Sequence, residues 1–160
     1  MSRPYPLHVL LACVGALGAA LTAQFAFGLR PCVLCIYQRI PYLLAGLLAG
    51  AALLPVLPRR SVGLLLGFCA LAFAVNSGIA VFHVGVEQHW WAGLNACTAA
   101  APQAQSIQDL QAMLAGPPPP RCDQIPWEMF GISMAGYNVF ASLALAGFAG
   151  WAARRTKEQA

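Results

Sequence analysis

The sequence predicts an all-α membrane protein, a bundle of four transmembrane helices with a short horizontal helix in its second outer loop. Of its 160 residues, 59% are apolar and only 9% are charged, whereas a soluble domain carries about a quarter charged residues. Four nearly charge-free stretches, about 7–29, 40–57, 62–82 and 132–153, each approach the roughly 20 helical residues that cross a bilayer. We therefore expect one membrane domain over residues 1–160.

Basic residues predict how this bundle is oriented. With an even number of spans, six of the nine basic residues fall on one side: Arg3, Arg59, Arg60, Arg154, Arg155 and Lys157. The positive-inside rule makes that side cytoplasmic. Both termini are then cytoplasmic, and two loops, about 30–39 and 83–131, lie outside. The positive-inside rule thus explains the formal charge of +4. We therefore expect these basic residues to lie beside a lipid bilayer and not to bind nucleic acid.

Small residues in the second and third stretches predict close helix packing. Gly46 and Gly50 in the second stretch, and Gly63 and Gly67 in the third, have the GxxxG spacing. Small residues four apart let helix backbones approach closely in lipid. The connection between these stretches is short, so we expect them to form an antiparallel helical hairpin.

The longer outer loop contains a segment with its own helical pattern. Ser106 followed by Asp109 resembles a capping box, and Gly116 with the run Pro117–Pro120 would end the helix. The apolar residues of one face are Ile107, Leu110, Met113 and Leu114. Such a helix either lies flat in the membrane interface or packs on its own loop, and the sequence leaves both open.

The six cysteines fall into two groups. Cys13 and Cys69 lie inside apolar stretches, where a free cysteine behaves as a small hydrophobic residue. The others lie on the predicted outer side: Cys32, Cys35, Cys97 and Cys122. Disulfides form and persist outside the cytoplasm, so these four are the candidates for disulfide chemistry.

Cys32 and Cys35 form a C-x-x-C pair at the start of the second stretch. A thiolate near a helix N-terminus is stabilised by the helix dipole. Arg39 lies one turn beyond Cys35 on the same face, where its charge would lower a thiol pKa further. The alternatives are a structural disulfide or half of a zinc site, and a zinc site would require a second matched pair. We interpret the pair as redox-active and expect no metal.

Cys97 and Cys122 flank the loop segment, and two interpretations of them stay open. Paired, they would close a sizeable loop, as a purely structural disulfide does. Alternatively they are a mobile disulfide that a soluble dithiol protein attacks. The released thiolate would then attack the C-x-x-C pair, since exchange proceeds through mixed disulfides.

The segment Pro31–Arg39, PCVLCIYQR, resembles the first-loop motif of the bacterial disulfide bond formation protein B (DsbB) family. The four spans, two outer loops and two cysteine pairs extend this resemblance over nearly the whole chain. It implies that a periplasmic DsbA-like partner attacks Cys97 and that Cys122 resolves onto Cys32. It also implies that Cys35 is the low-pKa thiolate that contacts a membrane quinone, ubiquinone or menaquinone, whose oxygens Arg39 stabilises.

Two features depart from the family pattern. Gln38 stands where the family commonly has Glu, which removes one negative charge near the site. The segment Gly85–Trp91, GVEQHWW, is more similar to a divergent branch of the family. These two departures affect the expected identity of the thiol partner more than the expected electron-transfer chemistry.

His83 ends the third stretch on the outer side, and Glu87 follows one turn later. Quinone reduction consumes two protons, so a titratable group near the ring would be useful. We include His83 among the quinone-site residues, although a histidine that merely ends a span at the interface explains it too. Glu87 could pair with His83, but a solvated surface acid is the simpler interpretation.

These observations predict a bacterial inner-membrane thiol:quinone oxidoreductase. Electrons would pass from the partner dithiol to Cys97–Cys122, then to Cys32–Cys35, then to the quinone pool. The alternative is a non-enzymatic four-span adaptor whose loop disulfides are structural. In that case, replacing Cys32 or Cys35 would impair folding rather than electron flow.

Overall fold

The computed structural model describes residues 4–94, 97, 106–108, 111 and 120–159. Within them the chain forms four long helices and one small hairpin: α1 (Pro4–Phe25), α2 (Val33–Ala52), α3 (Arg59–Glu87), β1 (Glu128–Met129), β2 (Ile132–Ser133) and α4 (Met134–Glu158). The predicted helical architecture is confirmed, and the hairpin is an addition to it.

The helices differ in how apolar they are. α1, α2 and α3 are long and apolar enough to cross a membrane, by length and composition. α4 places the polar side chains of Tyr137, Asn138 and Ser142 in its first half and two basic residues in its last turn. Three helices therefore have the character of membrane spans on composition alone, and α4 is the more polar fourth member of the bundle.

Two helix boundaries differ from the boundaries of the predicted stretches. α2 begins at Val33, well before residue 40, and α3 continues to Glu87, beyond residue 82. Apolar character marks the part of a helix that sits in lipid, whereas hydrogen bonds and caps decide where the helix ends. The segment from Val33 to Arg39, expected in an outer loop, is therefore helical, as is the end of α3.

The bundle is packed with small side chains inside and large apolar side chains outside. α2, α3 and α4 contribute alanines to the core, among them Ala45, Ala72 and Ala149. Leu47 is 65% exposed and Phe68 is 55% exposed on the outer surface. Helices that associate in lipid use this arrangement, because small residues allow close contact while large apolar ones meet the acyl chains.

In each of the two predicted GxxxG motifs, one glycine lies at a close contact between helices. A Cβ added at Gly46 would lie 3.3 Å from the Cβ of Cys13, so α1 and α2 are in close contact there. A Cβ at Gly63 would lie 3.2 Å from the carbonyl oxygen of Ala153 in α4. Gly50 and Gly67 have nothing within 4 Å of such an atom. α2 and α3 are in contact, as the predicted hairpin requires.

The horizontal helix of the outer loop stays a prediction. Ile107 and Gln108 are helical, and Ser106 directly precedes them. The other residues on which the prediction depends lie outside the described part of the chain: Asp109, Leu110, Met113, Leu114, Gly116 and 117–119.

The end of α3 is fixed by a tryptophan that folds back on it. The chain turns at His89, whose φ of 59° is in the left-handed region. The Trp91 indole N–H then donates a hydrogen bond to the Phe82 carbonyl, 3.0 Å away, and the two rings stack. A Cβ at Gly85 would lie 2.0 Å from the Trp91 ring, so only glycine leaves room for it.

We expect Gly85→Ala to lower the free energy of unfolding in detergent by about 1–3 kcal/mol, because a methyl group would displace the Trp91 ring. The matched control is Gly78→Ala in the same helix, where nothing lies within 4 Å. Denaturation monitored by tryptophan fluorescence measures both. Equal stability of the two variants would contradict the proposed contact.

Candidate redox site

The C-x-x-C pair forms the N-terminus of α2. Cys32 is the N-cap residue, and its sulfur accepts a hydrogen bond from the Cys35 backbone N–H at 3.2 Å. A hydrogen bond also links the two sulfurs, which lie 2.8 Å apart. The pair therefore lies over the positive end of the helix dipole, where negative charge on sulfur is favoured.

The loop disulfide packs against this pair. Cys97 and Cys122 are bonded to each other, with their Cα atoms 5.1 Å apart, and both are buried. Together with Cys32, Leu34 and Val86 they form one cluster of buried residues. The fold thus brings all four outer cysteines together at one end of the bundle. The sequence alone left open whether the loop disulfide would lie beside the C-x-x-C pair.

His83 is the third chemical group at the site. It is 3% exposed, and its Nε2 lies 3.5 Å from the Cys32 sulfur. Its Nδ1 lies 2.8 Å from Nε2 of the Gln38 side chain. His83 is therefore a buried neighbour of the redox pair, and not merely the last residue of a span.

Glu87 is buried as well, and the expectation of a solvated surface acid is wrong. It is 5% exposed, because α4 begins directly beside it. The Ser133 hydroxyl, which caps α4 by accepting the Gly136 N–H, donates a hydrogen bond to the Glu87 carboxylate. The other carboxylate oxygen lies 3.8 Å from His83 Nε2.

A chain of polar side chains connects the site to the middle of the bundle. The Asn138 amide donates to Gln38 Oε1 at 2.6 Å, and the Tyr42 hydroxyl donates to Asn138 Oδ1 at 2.8 Å. Ser142 and Asn76 continue the chain, with 2.8 Å between the Asn76 amide nitrogen and the Ser142 oxygen. These hydrogen-bonded side chains were not predicted from the sequence, although polar residues within apolar stretches mark functional positions in membranes.

Arg39 is placed differently from the expectation of a cation beside the Cys35 thiol. Its guanidinium donates a hydrogen bond to the Gln24 side-chain oxygen of α1, at 2.6 Å. It shares the wall of a cavity with Cys35, so its charge faces the space beside that sulfur.

Two cavities meet at the redox pair. The apolar cavity has a volume of about 210 Å³. Its walls include Ala16, Ala19, Ala20, Cys35, Arg39 and Glu87. The loop-side cavity, of about 260 Å³, lies under the outer loop. Its walls include Arg30, Cys32, Cys35, Arg121 and Gln124. Cys35 and His83 belong to both cavities, whereas Cys32 lines only the loop-side one.

The lowered thiol pKa falls on Cys32, whereas the sequence analysis placed it at Cys35. The hydrogen bond with Cys35 lowers the pKa of the Cys32 thiol, and burial opposes this change. The hydrogen bonds from His83 and from the Cys35 backbone N–H lower it further. In the reduced pair the thiolate therefore lies on Cys32, whose pKa is well below that of an ordinary cysteine.

The site offers three soft ligand atoms, but their spacing suits sulfur chemistry better than zinc. The ligand atoms of Cys32, Cys35 and His83 lie within 4.8 Å of one another. Zn–S bonds of about 2.3 Å in a tetrahedral site would place two sulfurs roughly 3.7 Å apart. The two sulfurs, 2.8 Å apart, would have to separate before they could share a zinc ion.

We expect Cys32 in the reduced protein to react with iodoacetamide at about pH 6, where an ordinary thiol of pKa about 8.5 is under about 1% thiolate. Because its pKa is lowered, Cys32 loses this reactivity only as the pH falls through that lower value. His83→Ala should move the loss to higher pH, because the stabilising hydrogen bond is removed. Peptide mass spectrometry locates the label.

The matched control is His8→Ala, an exposed histidine at the opposite end of the bundle, which should leave the Cys32 profile unchanged. A profile for Cys32 that matches an unperturbed thiol in the parent protein would contradict the assignment of the thiolate.

Comparison with known proteins identifies the family. The family model described as Disulfide bond formation protein DsbB matches residues 2–152. The chain is 33% identical to Disulfide bond formation protein B 1 of Pseudomonas aeruginosa, over 92% of this chain and 93% of that protein. It is 32% identical to the Disulfide bond formation protein B of Xylella fastidiosa strain Temecula1, over 90% of this chain and 85% of that protein.

A more divergent relative is an uncharacterized protein of Rickettsia prowazekii, 29% identical over 84% of this chain and 78% of that protein. No solved structure matches the chain. The family model covers almost the whole sequence, including both cysteine pairs. The chain therefore belongs to the DsbB family of membrane proteins that form disulfide bonds.

Proposed function

We propose that this protein is a thiol:quinone oxidoreductase, which reoxidises a periplasmic DsbA-like dithiol protein and passes the electrons to a membrane quinone. One observation carries the proposal. The C-x-x-C pair separates two cavities, with Cys32 facing only the loop side and Cys35 lining the apolar cavity. One sulfur can therefore exchange with the loop disulfide while the other faces a lipophilic substrate.

The first step is thiol–disulfide exchange at the loop. A partner thiolate attacks the Cys97 sulfur, and Cys122 leaves as a thiolate. The second partner thiol then resolves the mixed disulfide, so the partner is oxidised and the loop pair is reduced. Because both loop cysteines are buried, the partner has to displace part of the loop to reach them.

The second step transfers the electrons to α2. Cys122 attacks Cys32 of the oxidised C-x-x-C pair, and Cys97 then closes the loop disulfide again, which leaves Cys32 and Cys35 reduced. Packing of Cys122 and Cys32 in one buried cluster supports this step, because the sulfurs need no large movement to meet. The stabilised Cys32 thiolate is a good leaving group, which speeds the exchange.

In the third step, Cys32 and Cys35 are oxidised back to their disulfide. A bound quinone accepts two electrons and two protons. Cys35 faces the apolar cavity in which the ring would lie, and the Arg39 guanidinium on the same wall stabilises negative charge that develops on the quinone oxygens. Three alanines of α1 also line this cavity, and their small side chains leave space for a flat ring. The choice between ubiquinone and menaquinone is left to experiment.

Membrane placement follows from the two ends of the bundle. The Arg59 side chain at the start of α3 bonds the Gln159 side chain just after α4, at 3.0 Å. The basic ends of α3 and α4 therefore lie together, opposite the redox pair. We propose α4 as the fourth span, with both termini cytoplasmic, the cysteines periplasmic, and the bacterial inner membrane as the location.

The buried loop disulfide also favours a second candidate, the non-enzymatic adaptor with structural disulfides. Full burial of Cys97 and Cys122 is what a structural disulfide would show. This candidate gives no account of a stabilised thiolate between two cavities, and the variants below separate it from the oxidoreductase.

We expect Cys35→Ser to reduce oxidation of a DsbA-type dithiol protein by about 100-fold or more in the presence of ubiquinone-1, because electrons can no longer reach the quinone. The measurement is quinone absorbance together with thiol content in purified protein. Cys69→Ala, at a buried free cysteine in the bundle core, is the control and should keep parental turnover. An adaptor would show no quinone reduction in the parent or in either variant.

We expect alkaline phosphatase fused after Leu94 to be active and the same enzyme fused after Gln159 to be inactive. Phosphatase folds only where disulfides form, so its activity reports the periplasmic side. Activity at Gln159 would remove α4 as a fourth span, or reverse the orientation if the Leu94 fusion were also inactive.

A further inference from the structure

We propose that Glu87 is a catalytic proton carrier, which exchanges protons between the C-x-x-C sulfurs and the quinone while His83 acts as a fixed hydrogen-bond donor. The inference rests on the proposed function. It assigns a role to a carboxylate that neither the cysteine pattern nor the C-x-x-C motif includes.

The reaction requires such a group because protons must cross the same space as the electrons. The reduced pair, with a thiolate on Cys32 and a thiol on Cys35, gives up two electrons and one proton when its disulfide forms. Quinone takes up two electrons and two protons when it becomes quinol, so the proton that Cys32 lost when its thiolate formed has to be returned from outside the pair. A carboxylate at the wall of the apolar cavity can accept a proton from the sulfur side and deliver it to a quinone oxygen, and it is regenerated in each turnover.

The hydrogen bonds around His83 fix which of its nitrogens carries the proton. Asn138 donates to Gln38 Oε1, so the Gln38 amide nitrogen faces His83. An amide nitrogen only donates, and His83 Nδ1 must therefore accept. The proton of the neutral imidazole lies on Nε2, which faces the Cys32 sulfur at 3.5 Å and the Glu87 carboxylate at 3.8 Å.

This arrangement excludes His83 as the carrier in its present surroundings. A proton on Nδ1 would face the Gln38 N–H, so Nδ1 cannot take up a proton while Nε2 gives one up, as a relay through the ring requires. His83 can still donate from Nε2 to a thiolate or a carboxylate. The adjacent group that can gain and lose a proton toward the apolar cavity is then Glu87.

The position of Glu87 meets the requirements for this role. It lines the apolar cavity together with Cys35, His83 and Arg39. The Ser133 hydroxyl holds the carboxylate in place, and Ser133 is itself fixed as the cap of α4. A buried carboxylate without a direct cationic partner at hydrogen-bond distance can take up a proton more readily than a salt-bridged one.

Other titratable groups surround the pair and share in its pH dependence. From α2 these are Cys32, Cys35, Arg39 and Tyr42, of which the last three line the apolar cavity. From the outer segments, Arg30 and Arg121 line the loop-side cavity. The described residues of α1 and α4 that line these cavities are uncharged. The two arginines on the described wall of the loop-side cavity disfavour the passage of a positive charge in that direction, which favours transfer through Glu87.

The test measures single-turnover reduction of ubiquinone-1 by protein whose C-x-x-C pair has been reduced beforehand, between about pH 5 and pH 9. We expect Glu87→Gln to slow quinone reduction by about 100-fold and to abolish the limb of the pH profile that the carboxylate contributes. Glu128→Gln, at an exposed acid of the hairpin, is the matched control and should follow the parent.

A second variant tests whether the His83 tautomer, with its proton on Nε2, prevents this histidine from carrying protons. Gln38→Glu places an acceptor at His83 Nδ1, so the imidazole can be protonated there and can carry protons itself. The double variant Glu87→Gln with Gln38→Glu should therefore regain about 10-fold or more of the lost rate. A structural defect caused by Glu87→Gln would not be repaired in this way.

Reduction of the C-x-x-C pair by dithiothreitol, measured in the same variants, shows whether the site is folded and should be unchanged in Glu87→Gln. Infrared difference spectra of the reduced and oxidised protein supply a readout without quinone. We expect a carboxyl band that responds to the redox state and is absent in Glu87→Gln.

The outcomes separate the two proposals. A parent that reduces no ubiquinone-1 would overturn the oxidoreductase itself. An active parent in which Glu87→Gln and Glu128→Gln have the same rate and pH profile would overturn only the role of Glu87. Loss of the rate without rescue by Gln38→Glu, and without a redox-dependent carboxyl band, would also overturn it.

Discussion

The site depends on a buried hydrogen-bond chain that connects three helices. Cys32, His83, Gln38 and Asn138 each use the next side chain as a partner. Water is scarce inside such a bundle, so each group must find its hydrogen bonds among the others. The chain therefore holds α2, α3 and α4 in register at the end where the cysteines lie, and it directs the imidazole proton toward sulfur.

Two helix caps extend this control to the reacting groups. Cys32 caps α2 with the sulfur that the proposed mechanism uses for exchange, so the local fold and the proposed chemistry use one atom. Ser133 caps α4 and holds Glu87 through the same hydroxyl. Both caps are the ends of long helices packed in one bundle. The Cys32 sulfur and the carboxylate are consequently held by rigid elements, whereas the proposed exchange requires the loop disulfide to move when a partner binds.

Much of the helical architecture and the candidate cysteines could be predicted from the sequence, because apolar stretches and the C-x-x-C spacing are local signals. The packing of Cys122 beside Cys32, the burial of Glu87 and the orientation of His83 could not. Each depends on contacts between segments far apart in sequence, such as Gln38 with Asn138. Asn76, Asn138 and Ser142 within apolar helices were the available signal that a polar interior existed.

Placing the thiolate on Cys32 rather than Cys35 has a consequence for the direction of electron flow. A stabilised thiolate favours the reduced form of the pair, which makes its disulfide a stronger oxidant toward Cys97 and Cys122. The same stabilisation would oppose reoxidation, so the quinone end has to supply compensating driving force. In the proposed mechanism, a quinone bound in the apolar cavity beside Cys35 would supply this driving force by its own reduction, and the Arg39 charge would stabilise the negative charge that develops on its oxygens. The proposal therefore gives the two sulfurs separate tasks, exchange at Cys32 and quinone reduction at Cys35.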